Sequence, residues 1–313
     1  MSSEVNPSLS IINNSSNNLI SIFRKPPVLG LLIIVLMFCE KMLMHSFTVI
    51  TLYVLPEPWK WIIPAITGAI GMWLVVRGMG RDEVKGSLLG YTGGFLIWVS
   101  WMESAMPIIG HGANIPMVPA ADGGTQGGFL GEHVFMQASG VFCIMTLIFI
   151  MFNKDVRCRM LLWIRRALRM DASVLGKPTQ GYRPNVARVA AFEYFFVTWF
   201  MYVLMLVIVD PRTFGLHHPV TYTLCALVVI WGLYLMYKQT QQREVGLSIR
   251  YGIGATGVAW FIPECAQFYG EFYEFYLYAN KHPVAMTIVL FLFIAILRLL
   301  WLTPINEKTQ RSL

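Results

Sequence analysis

Eight stretches of about twenty mostly apolar residues, set apart by short polar connections, constrain this 313-residue chain more than any other feature. A run of that length crosses the ~30 Å hydrocarbon core of a bilayer as a helix. Backbone amides placed there must be satisfied within the segment itself. The stretches are Val28–Leu52, Trp61–Val76, Ser87–Ile108, Glu132–Phe152, Val189–Val209, Thr221–Tyr237, Tyr251–Phe272 and Pro283–Leu302. The expected fold is therefore all-α: a polytopic membrane protein of about eight transmembrane helices. The second and sixth stretches are short, which predicts tilted helices or helices packed in the bundle interior. Only 13% of residues are charged, against about 25% in a soluble domain.

The net charge of +7 would suit a nucleic-acid partner if the basic residues formed a patch. They fall instead in alternate connections: Arg24 and Lys25, then Arg77, Arg81 and Lys85, a dense series from Lys154 to Arg188, then Lys238, Arg243 and Arg250, and finally Lys308 and Arg311. The other connections hold only Lys60, Arg212 and Lys281. By the positive-inside rule both termini are expected in the cytoplasm, as in a multi-pass protein of a bacterial inner membrane, with no nucleic-acid partner. Residues 1–27 are rich in Asn and Ser without a basic start, which predicts a disordered cytoplasmic tail and an uncleaved first span. Residues 153–188 form a basic linker in which Trp163–Arg169 reads as a short amphipathic segment on the anionic inner leaflet. Residues 304–313 read as a second cytoplasmic tail. Cys39, Cys143, Cys158, Cys225 and Cys265 lack C-x-x-C spacing and are expected to pack as small hydrophobes.

The two halves of the chain resemble one another. At an offset of 161, Glu83 meets Glu244, Ser87 meets Ser248, Gly93 meets Gly254, Glu103 meets Glu264 and Ala105 meets Ala266. Both following spans open with histidine, His133 and His282, and Glu40 answers Glu193 at an offset of 153. Residues 28–152 and 189–303 therefore read as tandem four-helix units. Four is even, so the units share an orientation and are expected to be related by a pseudo-two-fold axis along the membrane normal.

Ionisable groups in hydrocarbon cost several kcal/mol, so those lying in the spans point to function. Glu40, Glu103, Glu132, Glu193, Glu264, Glu271 and Glu274 lie in or at the mouths of the apolar segments, with His45, His133 and His282 near them. Most fall toward the outer side. If one helix continues to Phe272, Glu264 and Glu271 share a face two turns apart. Glu103, Glu132, His133, Glu264, Glu271 and His282 are the candidate metal ligands, with Glu264 and Glu103 as the candidate catalytic pair. Mixed carboxylate and imidazole ligands suit iron, copper or zinc. The alternative is Glu–His hydrogen-bond pairs that tie the halves together. Glu274 also fits an interfacial aromatic belt beside Tyr269, Tyr273, Tyr276 and Tyr278, and His111, His217 and His218 fit solvated loops. Met37, Met42 and Met44 offer thioethers near Glu40, although methionine more often fills gaps.

Three functions fit these residues. The first is a membrane metal-dependent oxidoreductase, oxygenase-like, acting on a small or lipidic substrate, with Trp98, Trp101 and Trp260 shaping an apolar pocket. It would draw electrons from quinol or a partner protein. Its outer-side Glu/His arrangement is analogous to that of particulate methane and ammonia monooxygenase subunits. The second is a proton- or cation-coupled transporter, with Pro107, Pro263 and glycines such as Gly93 and Gly254 interrupting or closely packing two spans. The third is a structural or assembly subunit of a membrane complex.

Overall fold

A computed structural model describes residues 25–119, 129–155, 159–170 and 185–302, with Phe23 and Thr179. Most of the expected N-terminal tail, the C-terminal tail, residues 120–128 of the Gly110–Gly131 loop and much of the basic linker, Cys158 included, lie outside the described residues. Every regular element among the described residues is helical, apart from one isolated bridge between Val118 and Phe129.

Helix α1 (Val28–Val49) runs on into a π-helical segment, Ile50–Val54, and α2 covers Trp59–Gly78. Helix α3 (Glu83–Ile97) passes through a second π-helical segment, Trp98–Ser104, into α4 (Ala105–Gly112). A 3-10 turn at Gly131–His133 leads to α5 (Val134–Ala138) and α6 (Gly140–Met151). Then come α7 (Arg159–Ala167), α8 (Val186–Val209), α9 (Pro219–Thr240), α10 (Val245–Ala259), α11 (Phe261–Phe268) and α12 (Pro283–Trp301).

Seven helical runs are long and apolar enough to span a membrane: Val28–Val54, Trp59–Gly78, Gly131–Met151, Val186–Val209, Pro219–Thr240, Val245–Phe268 and Pro283–Trp301. The eighth expected span, Ser87–Ile108, is helical throughout but glycine-rich, and it falls outside that apolar set. The chain is thus a multi-pass, all-helical membrane protein.

The runs divide by burial. In the most apolar window of Val28–Val54, Val186–Val209 and Val245–Phe268 the buried share is 50%, 50% and 61%. In Trp59–Gly78, Gly131–Met151, Pro219–Thr240 and Pro283–Trp301 it is 22%, 22%, 22% and 28%. The first set and α3 form the centre, while the second set turns side chains such as Phe149, Ile230 and Phe291 outward, as lipid contact requires. The second and sixth spans were expected to be short and tilted or interior. At 20 and 22 residues they are full-length and peripheral, and a Pro at the first position of α9 favours its start ahead of the apolar centre.

Another expectation fails at the seventh span. The helix stops at Phe268, and Gly270 takes a left-handed φ of +77°. The Glu271 amide then bonds to the Ala266 carbonyl at 2.8 Å, closing the helix as glycine at this position commonly does. Glu271 and Glu274 therefore stand on a non-helical segment, not on the face of Glu264. Helix α7 also does more than lie on a leaflet. Leu161 is buried against Leu147, Ile150 and Phe192, and Arg165 donates to the Met151 and Asn153 carbonyls.

Candidate functional site

Lys41, His45 and Thr48 recur at helical spacing on α1 and point into the centre of the bundle. Glu40 and Lys41 sit at the middle of the 27-residue first span and are fully buried. Tyr194 of α8 donates to Glu40 Oε1 at 2.5 Å, and Tyr91 of α3 donates to Oε2 at 3.3 Å. The Lys41 ammonium donates to the Tyr194 hydroxyl at 3.0 Å and Thr198 at 3.4 Å, and lies 3.7 Å from Glu40 Oε1. A cation and a carboxylate thus join three core helices. The adjacency of Glu40 and Lys41 in sequence suggested only a local pair. The partners that keep them buried lie more than 50 residues away.

One turn further along α1, His45 stands between two carboxylates. Its Nε2 lies 3.1 Å from Glu264 Oε1, and its Nδ1 lies 3.8 Å from Glu103 Oε1. Each carboxylate is held by an indole on its own helix. Trp98 donates to Glu103 Oε2 at 2.8 Å and Trp260 donates to Glu264 Oε1 at 2.7 Å. The His45 ring stacks on Trp260, with centroids 5.7 Å apart. Glu264 is within hydrogen-bond reach of the imidazole and Glu103 lies just beyond it, so a small approach of Glu103 or an intervening water would let the two nitrogens pass a proton between the carboxylates. A cavity of about 30 Å³ adjoins Lys41, His45, Thr198 and Glu264, large enough for water.

The six expected ligands do not converge. Glu103 and Glu264 meet through His45, a residue outside the expected set. Glu132 lies apart with Tyr53, which donates to it at 2.5 Å, and with His111 at 3.6 Å. Glu132 and His111 border a separate cavity of about 300 Å³. His133 is half-buried near Tyr202, and its buried Nδ1 has no hydrogen-bond partner. His282 meets Tyr273 at 3.2 Å, and Glu271 is exposed beyond Gly270. Among the described residues no three His, Cys, Asp or Glu side chains group as a metal site.

Two carboxylates beyond the ends of spans complete the polar framework. Glu274, for which a solvated aromatic belt was one of two readings, is buried and accepts a 2.6 Å bond from Tyr276. Burial and then the nearby Glu264 push its proton affinity up. Asp210 is also buried. Burial alone would raise its pKa, but hydrogen bonds from Arg212 and Gln137 hold it below the ordinary aspartate value. Sequence reading passed over Asp210, Tyr91, Tyr194 and Thr198. Only the two tryptophans a turn ahead of Glu103 and Glu264 carried a readable signal.

Comparison with protein-family models, with curated proteins and with solved structures gives no match.

Proposed function

We propose that the chain is a proton- or cation-coupled membrane transporter whose coupling site is the buried set Glu40, Lys41, His45, Glu103 and Glu264. The observation that carries this reading is His45 between two indole-held carboxylates, one turn from an ion pair at mid-span. Buried ionisable groups inside a bundle mark ion and proton paths, and a mid-span position suits alternating access. The metal-dependent oxidoreductase reading, with iron, copper or zinc, asks six ligands to meet; Glu103 and Glu264 flank His45, while Glu132 and His282 have other partners and Glu271 is exposed. It therefore has less geometric support.

The transporter is built from two four-helix units, 28–152 and 189–303, related by rotation about the membrane normal. Matching contacts support the repeat: α2 packs on α3 as α9 packs on α10, α1 meets α10 as α8 meets α3, and α12 lies on α1 as α6 lies on α8. Gly71 abuts the backbone of α3 and Gly232, 161 residues later, abuts Ala259 of α10. Trp98 bonds to a glutamate five residues on, and Trp260 to one four residues on. The π-helical segment Trp98–Ser104 supplies the extra residue. Lys41 and Tyr194, 153 apart, touch each other, as equivalent residues beside a pseudo-axis do. Both termini are cytoplasmic in this arrangement, on the charge asymmetry of the connections.

Metal analysis of the detergent-purified protein tests the choice between readings. The transporter reading expects no stoichiometric iron, copper or zinc. A stoichiometric metal in the wild type that is lost in Glu264→Ala would overturn it in favour of the oxidoreductase.

A further inference from the structure

Beside Glu103, where α1 and its π-helical extension face the π-helical segment Trp98–Ser104, hydroxyl oxygens gather at spacings near the long limit of hydrogen bonds. Thr48 Oγ1 lies 3.4 Å from Glu103 Oε1 and 3.4 Å from Ser104 Oγ, and Thr51 Oγ1 lies 3.3 Å from Ser104 Oγ. Hydroxyl hydrogen bonds centre on about 2.7–2.8 Å. Each hydroxyl also has only one proton to give. Ser104 gives its proton to the Val99 carbonyl at 2.6 Å. Thr51 has the Phe47 and Thr48 carbonyls, both at 2.9 Å. With their protons on those carbonyls, the two oxygens can face each other with lone pairs among buried groups, where Thr51 is 1% and Ser104 0% exposed. Glu103 adds a negative oxygen, Oε1, because Trp98 engages Oε2.

We propose that Glu103, Thr48, Thr51 and Ser104 form a sodium-ion site. For ligand distances of about 2.3–2.6 Å, found around a cation of this size, adjacent octahedral ligands stand roughly 3.3–3.7 Å apart. The three observed spacings fall at the lower end of that range. Magnesium, with ligands at about 2.0–2.1 Å, requires closer oxygens, and potassium requires wider spacing. With the His45 imidazole, 3.8 Å from Glu103 Oε1, in its neutral form, a single carboxylate with neutral hydroxyls balances one positive charge. A divalent ion would leave net charge in the membrane interior, which is costly. Further ligands are at hand. Thr51 and Ser104 belong to the two π-helical segments, Ile50–Val54 and Trp98–Ser104, and π segments inside α-helices are frequent at functional sites. The Ser100 hydroxyl, one π turn before Ser104, is buried without a hydrogen-bond partner.

This inference names the coupling ion of the proposed transporter and rests on that reading for what the ion does, though not for its binding. The test is binding of radioactive sodium to the purified full-length protein in N-methylglucamine buffer, with thermal stability read in parallel against potassium at equal ionic strength. A single saturable sodium site is expected, with stabilisation by sodium and not by potassium. Affinity should fall roughly tenfold or more in Thr51→Val and in Ser104→Ala, by analogy with the loss of supporting groups at metal sites. Glu132→Gln, in the separate outer cluster, should bind normally. No sodium-selective binding in the wild type, or unchanged affinity in both hydroxyl variants, would overturn the site and leave a water-filled pocket only. Proton-driven charge movement without sodium binding would refute the sodium site while sparing the transporter. Sodium binding in a protein that moves no charge would do the reverse.

Discussion

Lys41→Met removes the one ammonium group buried at the middle of α1 and leaves Glu40 without its cation. At the observed 3.7 Å separation, an effective dielectric of about 20 gives an attraction of about 4–5 kcal/mol. Breaking a buried pair by deleting one partner typically costs about 3–5 kcal/mol. Tyr91 and Tyr194 still hydrogen-bond Glu40 in the variant, and the carboxylate can take up a proton, so the expected loss is at the lower end, about 3 kcal/mol. Glu40→Gln should cost a similar amount, because it leaves the ammonium with only Tyr194 and Thr198. The double variant removes both charges, so it should be less destabilised than the sum by about 2 kcal/mol or more. Reversible unfolding in mixed micelles, titrated with a denaturing detergent, measures all four proteins. Strict additivity would refute the argument, since it would mean that the two groups do not interact as an ion pair in the folded state.

Gly270→Ala forces a side chain into a left-handed conformation at the end of α11, and should cost about 1–2 kcal/mol, read as a lower unfolding temperature with unchanged sodium binding. Arg212→Ala should destabilise the outer junction of α5 and α8 by about 1–3 kcal/mol, because it strips the charged donor from buried Asp210. Asp210 is held below its ordinary value of 3.8 in the folded protein. Its contribution is therefore present above that pH and fades as pH falls below it, so the wild type should lose its advantage over Arg212→Ala in acid. An advantage that persists or grows in acid would contradict that sign. Glu132→Gln should leave charge movement by the core site intact, because Glu132 pairs with Tyr53 and His111 away from it.

The spans could be read from sequence because hydrophobic length is a local property. Their ends could not, because they depend on caps and turns: Gly270 closes a helix that the apolar pattern alone carries on to Phe272. Glu103 and Glu264 were legible as a pair through the internal offset and their buried setting. His45 was visible only as a nearby histidine, since its role depends on the approach of two helices far apart in sequence. The placement of the other expected ligands was illegible for the same reason. Glu132 and His133 are neighbours in sequence, yet about the 3-10 turn at Gly131–His133 one borders the 300 Å³ cavity and the other turns a buried Nδ1 toward the interior. Hydroxyls such as Thr51 and Ser104 carry no sequence signal at all. Their meaning comes from interatomic spacing.

Charge movement in proteoliposomes after a rapid cation jump most directly tests whether the buried set around His45 couples ions to transport. Ions entering or leaving a site within the membrane should produce a transient current in the wild type without any solute being identified. The current should vanish in Glu103→Gln and Glu264→Gln and persist in Glu132→Gln. A wild type that gives no transient with either proton or sodium jumps, or equal transients in all four proteins, would contradict that role.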